Sequence, residues 1–347
     1  MLKKLLIAAL ALVPILLFSQ TSKDIIIKSA DGVELSGTLT LPGNNDYAAC
    51  VILISGSGPQ DRNEELLGHR PFERIAVYLQ ERGIACFRYD DRGVGKSTGN
   101  FEVATSADFA IDAAAVFKKM KETAGVNPAK IGFAGHSEGG MVAAMAASKS
   151  NGCAFVISLA GTGVNGAQVL SQQNYDIALK MRLGSEEAAK QQSNNEILSR
   201  TVVQNPDSLK ALERLNAVFD SLYLSQKEMI PNYDEYKKAN IDFLNSRWMH
   251  YFLSHDPKED WMMVKCPVLI LNGSEDVQVN ARQNMPAIAN ALEAGGNSNY
   301  ELTMLNRQNH LFQNCSACTL AEYELLPEDF SEEALIEMAT WIERKVK

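Results

Sequence analysis

With 347 residues, 46% of them hydrophobic, the chain can bury a large core, either as one big α/β domain or as a core with an inserted subdomain. Its 33 basic residues against 42 acidic ones give a net charge of −9, which argues against nucleic acid and anionic membranes as partners. Six cysteines spread over this length do not form a disulfide framework, so a small stapled scaffold is excluded.

Met1 to Gln20 carries Lys3 and Lys4, then an uncharged apolar run from Leu5 to Phe18, then small and polar residues. This pattern predicts a secretory signal peptide over residues 1–20 and an exported chain, periplasmic or secreted. The apolar run is short for a membrane span and contains Pro14, so no stable membrane insertion is expected once it is removed. No cysteine follows the run to carry a lipid. Losing Lys3 and Lys4 from the 33 basic residues leaves 31 against 42 acidic, a net charge of about −11.

Ile25 to Ile27 and Val33 to Leu39 flank Asp31-Gly32, a β-hairpin signal. A near-continuous apolar run from Ala48 to Ile54 predicts a strand buried in a parallel sheet, and the glycine-rich run Ser55 to Asn63 that follows leaves its amides open to approach. Pro71 starts a helix that Gly83 stops, and Ala85 to Tyr89 is the next strand. Asp90 to Ser97 resembles a phosphate loop, but the glycine required five positions before Gly95 is Asp90, so the phosphate reading is set aside. A helix over Ala104 to Thr123, a strand ending at Gly135 and a strand over Phe155 to Ala160 continue the alternation, which implies a mainly parallel sheet with helices on both faces.

From Gly163 to Asp260 the alternation stops and several helices without strands are expected. Ile241, Leu244, Trp248 and Phe252 fall on one helical face, and Trp248, Met249, Tyr251 and Phe252 are candidates to line an apolar substrate pocket. Pro267 to Asn272 resumes the sheet, a helix covers Ala281 to Ala294, a last strand covers Tyr300 to Leu305 and a closing helix Glu332 to Arg344. The chain thus divides into an α/β core over residues 21–162 and 261–347 and a helical cap or lid over 163–260. Cys50, Cys86, Cys153 and Cys266 lie in or beside apolar runs as small hydrophobes, whereas Cys315 and Cys318 can close a small disulfide loop; a zinc site would need a second ligand pair that is not evident.

The chemistry centres on Gly135-His136-Ser137-Glu138-Gly139-Gly140, where an apolar strand runs through a sharp turn straight into a helix. That context is a nucleophile elbow: the strand gives rigidity, Gly135 and Gly139 avoid collision across the turn, and the helix N-terminus favours negative charge beside Ser137. A serine hydroxyl needs a base to take its proton and a third group to orient that base. His310, in the polar loop after the last strand, is the candidate base, and Asp276, in the loop after the preceding strand, the candidate acid. The order Ser, Asp, His is that of an α/β-hydrolase. His136 should point away from the serine, and His69, His250 and His255 read as loop or helix residues; Glu275, beside Asp276, could substitute as the acid, but reads first as a solvated loop carboxylate, so Asp276 is favoured. The backbone amides of Ser57 and Glu138 are the expected oxyanion donors, with the Glu138 carboxylate expected to play no part.

The runs SGSGPQDRN, YDDRGVGKSTG, GHSEGG, LNGSEDVQV and NHLFQ together resemble the exported bacterial α/β-hydrolases of the EstD-type esterase family, within the serine aminopeptidase-like group. The resemblance runs from Asp24 to the C-terminus and is weakest across Gly163 to Ser246. It implies a carboxylesterase with Ser137, Asp276 and His310 as triad, acyl ester substrates, and neither metal nor organic cofactor; hydrolysis of short- to medium-chain acyl esters through an acyl-serine is the leading expectation. The chain departs from such hydrolases at Asn280, where they often carry proline, and in the Cys315/Cys318 pair beside the base loop. Peptides, thioesters and acyl acceptors other than water suit the same triad. An inactive binding protein of this fold would usually lack one of the three residues, and here all three are present.

Overall fold

The computed structural model describes residues 21–43 and 47–346; the predicted signal segment, residues 1–20, lies outside them. β1 (Thr21–Lys28) and β2 (Glu34–Leu41) form the predicted hairpin, paired antiparallel from Thr21↔Leu41 to Lys28↔Glu34. β3 (Tyr47–Ile54), α1 (Pro71–Glu81), β4 (Ala85–Tyr89), α2 (Ser106–Lys121), β5 (Gly125–His136), α3 (Glu138–Lys149) and β6 (Val156–Leu159) follow in alternation. Then come α4 (Gly166–Lys180), α5 (Ser185–Gln204), α6 (Ser208–Tyr223), α7 (Tyr233–Leu244), α8 (Arg247–Ser254) and α9 (Pro257–Met263). β7 (Val268–Gly273), α10 (Ala281–Ala294), β8 (Tyr300–Leu305) and α11 (Glu332–Lys345) complete the chain.

One eight-stranded sheet results, in the order β1-β2-β4-β3-β5-β6-β7-β8. β2 joins β4 antiparallel, and the six strands from β4 to β8 run parallel. Seven of the eight residues of β3 are buried because helices cover both faces, which is why its sequence is an apolar run and not an alternation. The two-residue period still sorts them: Cys50, Ile52 and Ile54 join the core under α2 and α3, while Val51 and Leu53 join the core under α1 and α11. Each fully buried aliphatic side chain of this kind stabilises the fold by about 1.5–3 kcal/mol.

Parallel pairing sends the C-terminal ends of β3, β5, β7 and β8 to the same edge, so the loops after them meet there. α9 packs between α3 and α10, and Trp261 within it is fully buried with its indole N–H donating to Thr162 O at 3.1 Å. The stripe expected on one continuous helix is split: the chain breaks at Asn245-Ser246, and Ser246 caps α8 by accepting from Met249 N. Ile241 and Leu244 are therefore buried on α7, while Trp248 and Phe252 turn toward the sheet edge on α8. Among the described residues, no helix is long and apolar enough to cross a membrane.

Candidate active site

Ser137 sits between β5 and α3 at φ 56° and ψ −122°, a conformation that costs an L-residue roughly 1–3 kcal/mol and persists only where its surroundings enforce it. Here Ser137 N donates to Leu159 O at 2.9 Å on the neighbouring strand, and Gly140 N donates to Ser137 O at 3.0 Å. The turn is so tight that a Cβ on Gly135 would lie 1.9 Å from Gly139 O. The loop after β3 also packs against the turn, since a Cβ on Gly56 would lie 3.1 Å from Ser137 Cβ.

The loops after β7 and β8 bring Asp276 and His310 together, with His310 Nδ1 2.7 Å from Asp276 Oδ2 and both side chains buried. Asp276 Oδ1 accepts from Gln278 N at 2.8 Å and Val279 N at 2.9 Å, which fixes the carboxylate plane. Asn309 Oδ1 accepts from Leu311 N and Gln313 N, curling the next loop so that His310 faces inward. With the carboxylate accepting at Nδ1, the proton of neutral His310 belongs there and Nε2 is left basic. His310 and Ser137 line one cavity, of about 250 Å³. Neither Ser57 N nor Glu138 N donates to a partner among the described residues, so two free amides lie beside the nucleophile in that same cavity.

The loop carrying Ser57 is held by buried acids. Asp91 accepts from Ser55 Oγ at 2.7 Å and Gln60 N at 3.1 Å, and burial pushes its carboxyl well above the usual range. Glu64 Oε1 accepts from Gly56 N at 2.7 Å and meets His136 Nδ1 at 2.9 Å; His136 Nε2 donates to His310 O at 2.9 Å. His136 thus points away from the serine, as expected. Burial opposes a charge on its ring, but the Glu64 carboxylate, the His310 carbonyl and Asp276 together outweigh burial and raise its pKa.

The Glu138 carboxylate is not idle: it is buried, and it accepts from Ser106 Oγ at 2.5 Å, Trp248 Nε1 at 2.9 Å and Ser57 Oγ at 2.8 Å. Burial raises its pKa against the opposing effect of those donors. Its partners lie far off in sequence, so no local pattern announces them.

Of the four predicted pocket residues, Trp248 and Phe252 line the cavity, with rings stacked at 5.1 Å. Met249 and Tyr251 do not: Met249 is fully buried in the core, and Tyr251 faces a separate cleft beside Thr105 and Val202. The one-hundred-degree turn per helical residue puts neighbours of Trp248 on other faces. Leu66, Val169, Leu170, Phe243, Val279 and Leu311 complete the apolar lining and were missed. Val169, Leu170 and Gln173 do share a face of α4 by spacing, but no sequence signal says which face meets the elbow.

The remaining candidates have structural partners. His69 bonds Tyr323 O and Asp329, His255 pairs with Asp260 and His250 with Asn245. Glu275 pairs with Lys180 of α4 at 2.7 Å. Asn280 caps α10 by accepting from Arg282 N and Gln283 N, and donates to Asp176 of α4, roles a proline could not fill. Cys315 and Cys318 are joined in a disulfide, so their sulfurs are not free to ligate metal with nearby Glu322. Cys50 and Cys86 are buried, Cys153 and Cys266 half-buried, and all four are free.

A mainly parallel eight-stranded sheet with a serine elbow after β5, an acid after β7 and a histidine after β8 defines an α/β-hydrolase fold. Residues 69–314 match the family described as serine aminopeptidase, S33, and the chain belongs to it. Esterase EstD of Thermotoga maritima is 29% identical over 116 residues, a stretch that spans 33% of this chain and 28% of that esterase. Among solved structures, the Pyrococcus furiosus esterase Pf2001 superposes with a TM-score of 0.55 at 17% identity, covering 94% of each chain. The α/β-hydrolase GrgF from Penicillium sp. sh18 gives 0.58 at 19% identity, covering 94% of this chain and 99% of its own. At these identities the structural likeness concerns the fold.

Proposed function

We propose that the chain is a serine carboxylesterase that hydrolyses acyl esters through an acyl-Ser137 intermediate. The observation that carries the reading is the shared cavity: strained Ser137, His310 oriented by Asp276, and the unpartnered amides of Ser57 and Glu138 all border it. His310 Nε2 takes the Ser137 proton as Oγ attacks the ester carbonyl, and the two amides receive the oxyanion. The resulting imidazolium, steadied by Asp276, protonates the departing alkoxide; the same nitrogen then activates water to release the acid. A cavity of about 250 Å³, below the usual 300–1,000 Å³ of ligand pockets, with aliphatic and aromatic side chains from α4, α7, α8 and the neighbouring loops among its lining, favours short over medium acyl groups. The similarity to EstD supports the same choice of chemistry.

The Cys315–Cys318 disulfide supports export, together with the composition of residues 1–20. A peptidase reading has one observation behind it: Glu64 and Glu138 both border the cavity, and Glu64 Oε2 has no partner there, so an amine-bearing substrate would meet acids. Initial rates on nitrophenyl esters of graded acyl length, beside aminoacyl anilides, separate the two readings. The ester reading expects a rate maximum at short acyl length that Ser137→Ala abolishes. Turnover of anilides in preference to esters would replace it with the peptidase reading, and ester turnover surviving in Ser137→Ala would remove Ser137 from the mechanism.

A further inference from the structure

Three hydrogen-bond donors from three separate parts of the chain converge on the carboxylate of Glu138. Ser57 belongs to the loop after β3 and supplies one of the free amides beside the nucleophile, Ser106 opens α2, and Trp248 stands on α8 over the cavity. Burying a carboxylate next to the place where an oxyanion develops is costly on both counts, desolvation and like charge. Its donors offset the first cost but not the second. An apolar side chain of similar length would fill the space without the repulsion, so space-filling does not account for a carboxylate. What the carboxylate adds is the capacity to accept from both directions at once: Oε1 takes Trp248 and Ser106, and Oε2 takes Ser57.

We infer that Glu138 is a positioning residue that couples the cap helix α8 to the oxyanion loop, holding the Ser57 amide in register with the Glu138 amide when Trp248 is seated. This rests on the reading of Ser137 as an acylating nucleophile. The backbone of Glu138 is set by the elbow itself, since it follows Ser137 directly and begins α3. Its side chain therefore measures the other two elements against a fixed point. Ser57 also accepts at its carbonyl from Gln60 Nε2 at 3.3 Å, and its neighbour Gly56 is held by Glu64, but the hydroxyl bond to Glu138 is the side-chain tie that joins Ser57 itself to the elbow helix. Trp248 stacks on Phe252 at 5.1 Å and lies 5.9 Å from Phe243, so its indole N–H is the polar end of an aromatic group that otherwise rests on apolar contacts.

Glu138→Ala removes both acceptor oxygens and so all three hydrogen bonds, whereas Glu138→Gln keeps an oxygen for Trp248 and Ser106 and presents an N–H to the Ser57 hydroxyl, which accepts as readily as it donates. Deleting an oxyanion donor costs 10²–10³ in kcat, so displacing one by loss of its tie is expected to cost roughly 10- to 100-fold in Glu138→Ala, with recovery to within a few-fold in Glu138→Gln. The loss falls on kcat, because the donor acts on the transition state. Ser57→Ala should lower kcat in the wild-type background and add nothing in the Glu138→Ala background, since the bond it removes is already gone. The cap is followed separately. Of the chain's three tryptophans, Trp261 and Trp341 are fully buried, so acrylamide quenching of fluorescence reports Trp248; it should rise in Glu138→Ala and return in Glu138→Gln.

The experiment is steady-state kinetics on a short-chain nitrophenyl ester plus quenching for the full chain and these variants, each checked for folding by circular dichroism. Wild-type kcat and wild-type quenching in folded Glu138→Ala would overturn the coupling while leaving the esterase reading in place. So would a Ser57→Ala effect of equal size in both backgrounds. A wild-type chain that neither turns over acyl compounds nor reacts with a serine-directed phosphonate would overturn the esterase reading and the coupling with it.

Discussion

Replacing Asp276 by asparagine changes one atom and, by the geometry, should disable the base without disturbing the fold. Asp276 Oδ1 accepts two backbone N–H groups, from Gln278 at 2.8 Å and Val279 at 2.9 Å, so in the variant the amide oxygen must stay on that side. The amide nitrogen then takes the position 2.7 Å from His310 Nδ1 and donates to it. His310 is forced to carry its proton on Nε2, where a hydrogen now points toward Ser137 in place of the lone pair that should take its proton. The equivalent tautomer trap in other serine hydrolases costs about 10⁴ in kcat, which is about 5.5 kcal/mol of barrier. Esterase rates and thermal melts of Asp276→Asn check this: a fall of that order with an unshifted melting temperature is expected. The neighbouring control is Glu275→Gln, which breaks a half-exposed pair with Lys180 worth at most about 1 kcal/mol and should leave kcat alone. A folded Asp276→Asn within tenfold of the wild-type rate would refute the assignment of the orienting acid, and a large loss in Glu275→Gln would move that role to its neighbour.

The Glu64–His136 pair gives a stability prediction. Both side chains are under 10% exposed, so Glu64→Ala strands a buried imidazole and should cost roughly 3 kcal/mol in urea denaturation, with a smaller loss for Glu64→Gln. The pair also has a pH signature: because the folded His136 pKa is raised above the usual 6.5, its stabilisation is complete below that value and is lost as pH rises through the raised one. The urea midpoint of the wild type should therefore fall toward that of His136→Gln as pH climbs above 6.5, and parallel pH profiles would contradict it. The Cys315–Cys318 bridge closes a very short loop, so Cys318→Ser should cost only about 2 kcal/mol, read as a lowered melting temperature that reducing agent no longer shifts.

Much of the fold was legible because parallel strands buried on both faces must be apolar throughout. Ala85 to Tyr89 and the helix Ala281 to Ala294 lie where their composition and stops place them, and the edge strand Tyr300 to Leu305, mostly uncovered, was legible from its position before the polar loop at Asn306. The elbow was legible because its constraints are local: two glycines, a serine and a helix must follow a strand in fixed order. What was hidden depends on contacts between distant segments. Nothing near Met249 or Tyr251 reveals that the helix breaks at Asn245-Ser246 and rotates only Trp248 and Phe252 toward the elbow. Glu138 looked idle for the same reason, since Ser57, Ser106 and Trp248 lie 81, 32 and 110 positions away. Asn280, a mere departure from the usual proline in sequence, proves to be a helix cap and a tie to α4.

The central claim is that Ser137 becomes acylated. Rapid mixing of the chain with a short-chain nitrophenyl ester, followed by acid quench and peptide mass analysis, tests it most directly. An acyl adduct on the peptide containing Ser137, absent from Ser137→Ala and diminished in His310→Ala, is the predicted result. Turnover of the ester with no adduct on Ser137, or an adduct on another residue that persists in Ser137→Ala, would contradict it.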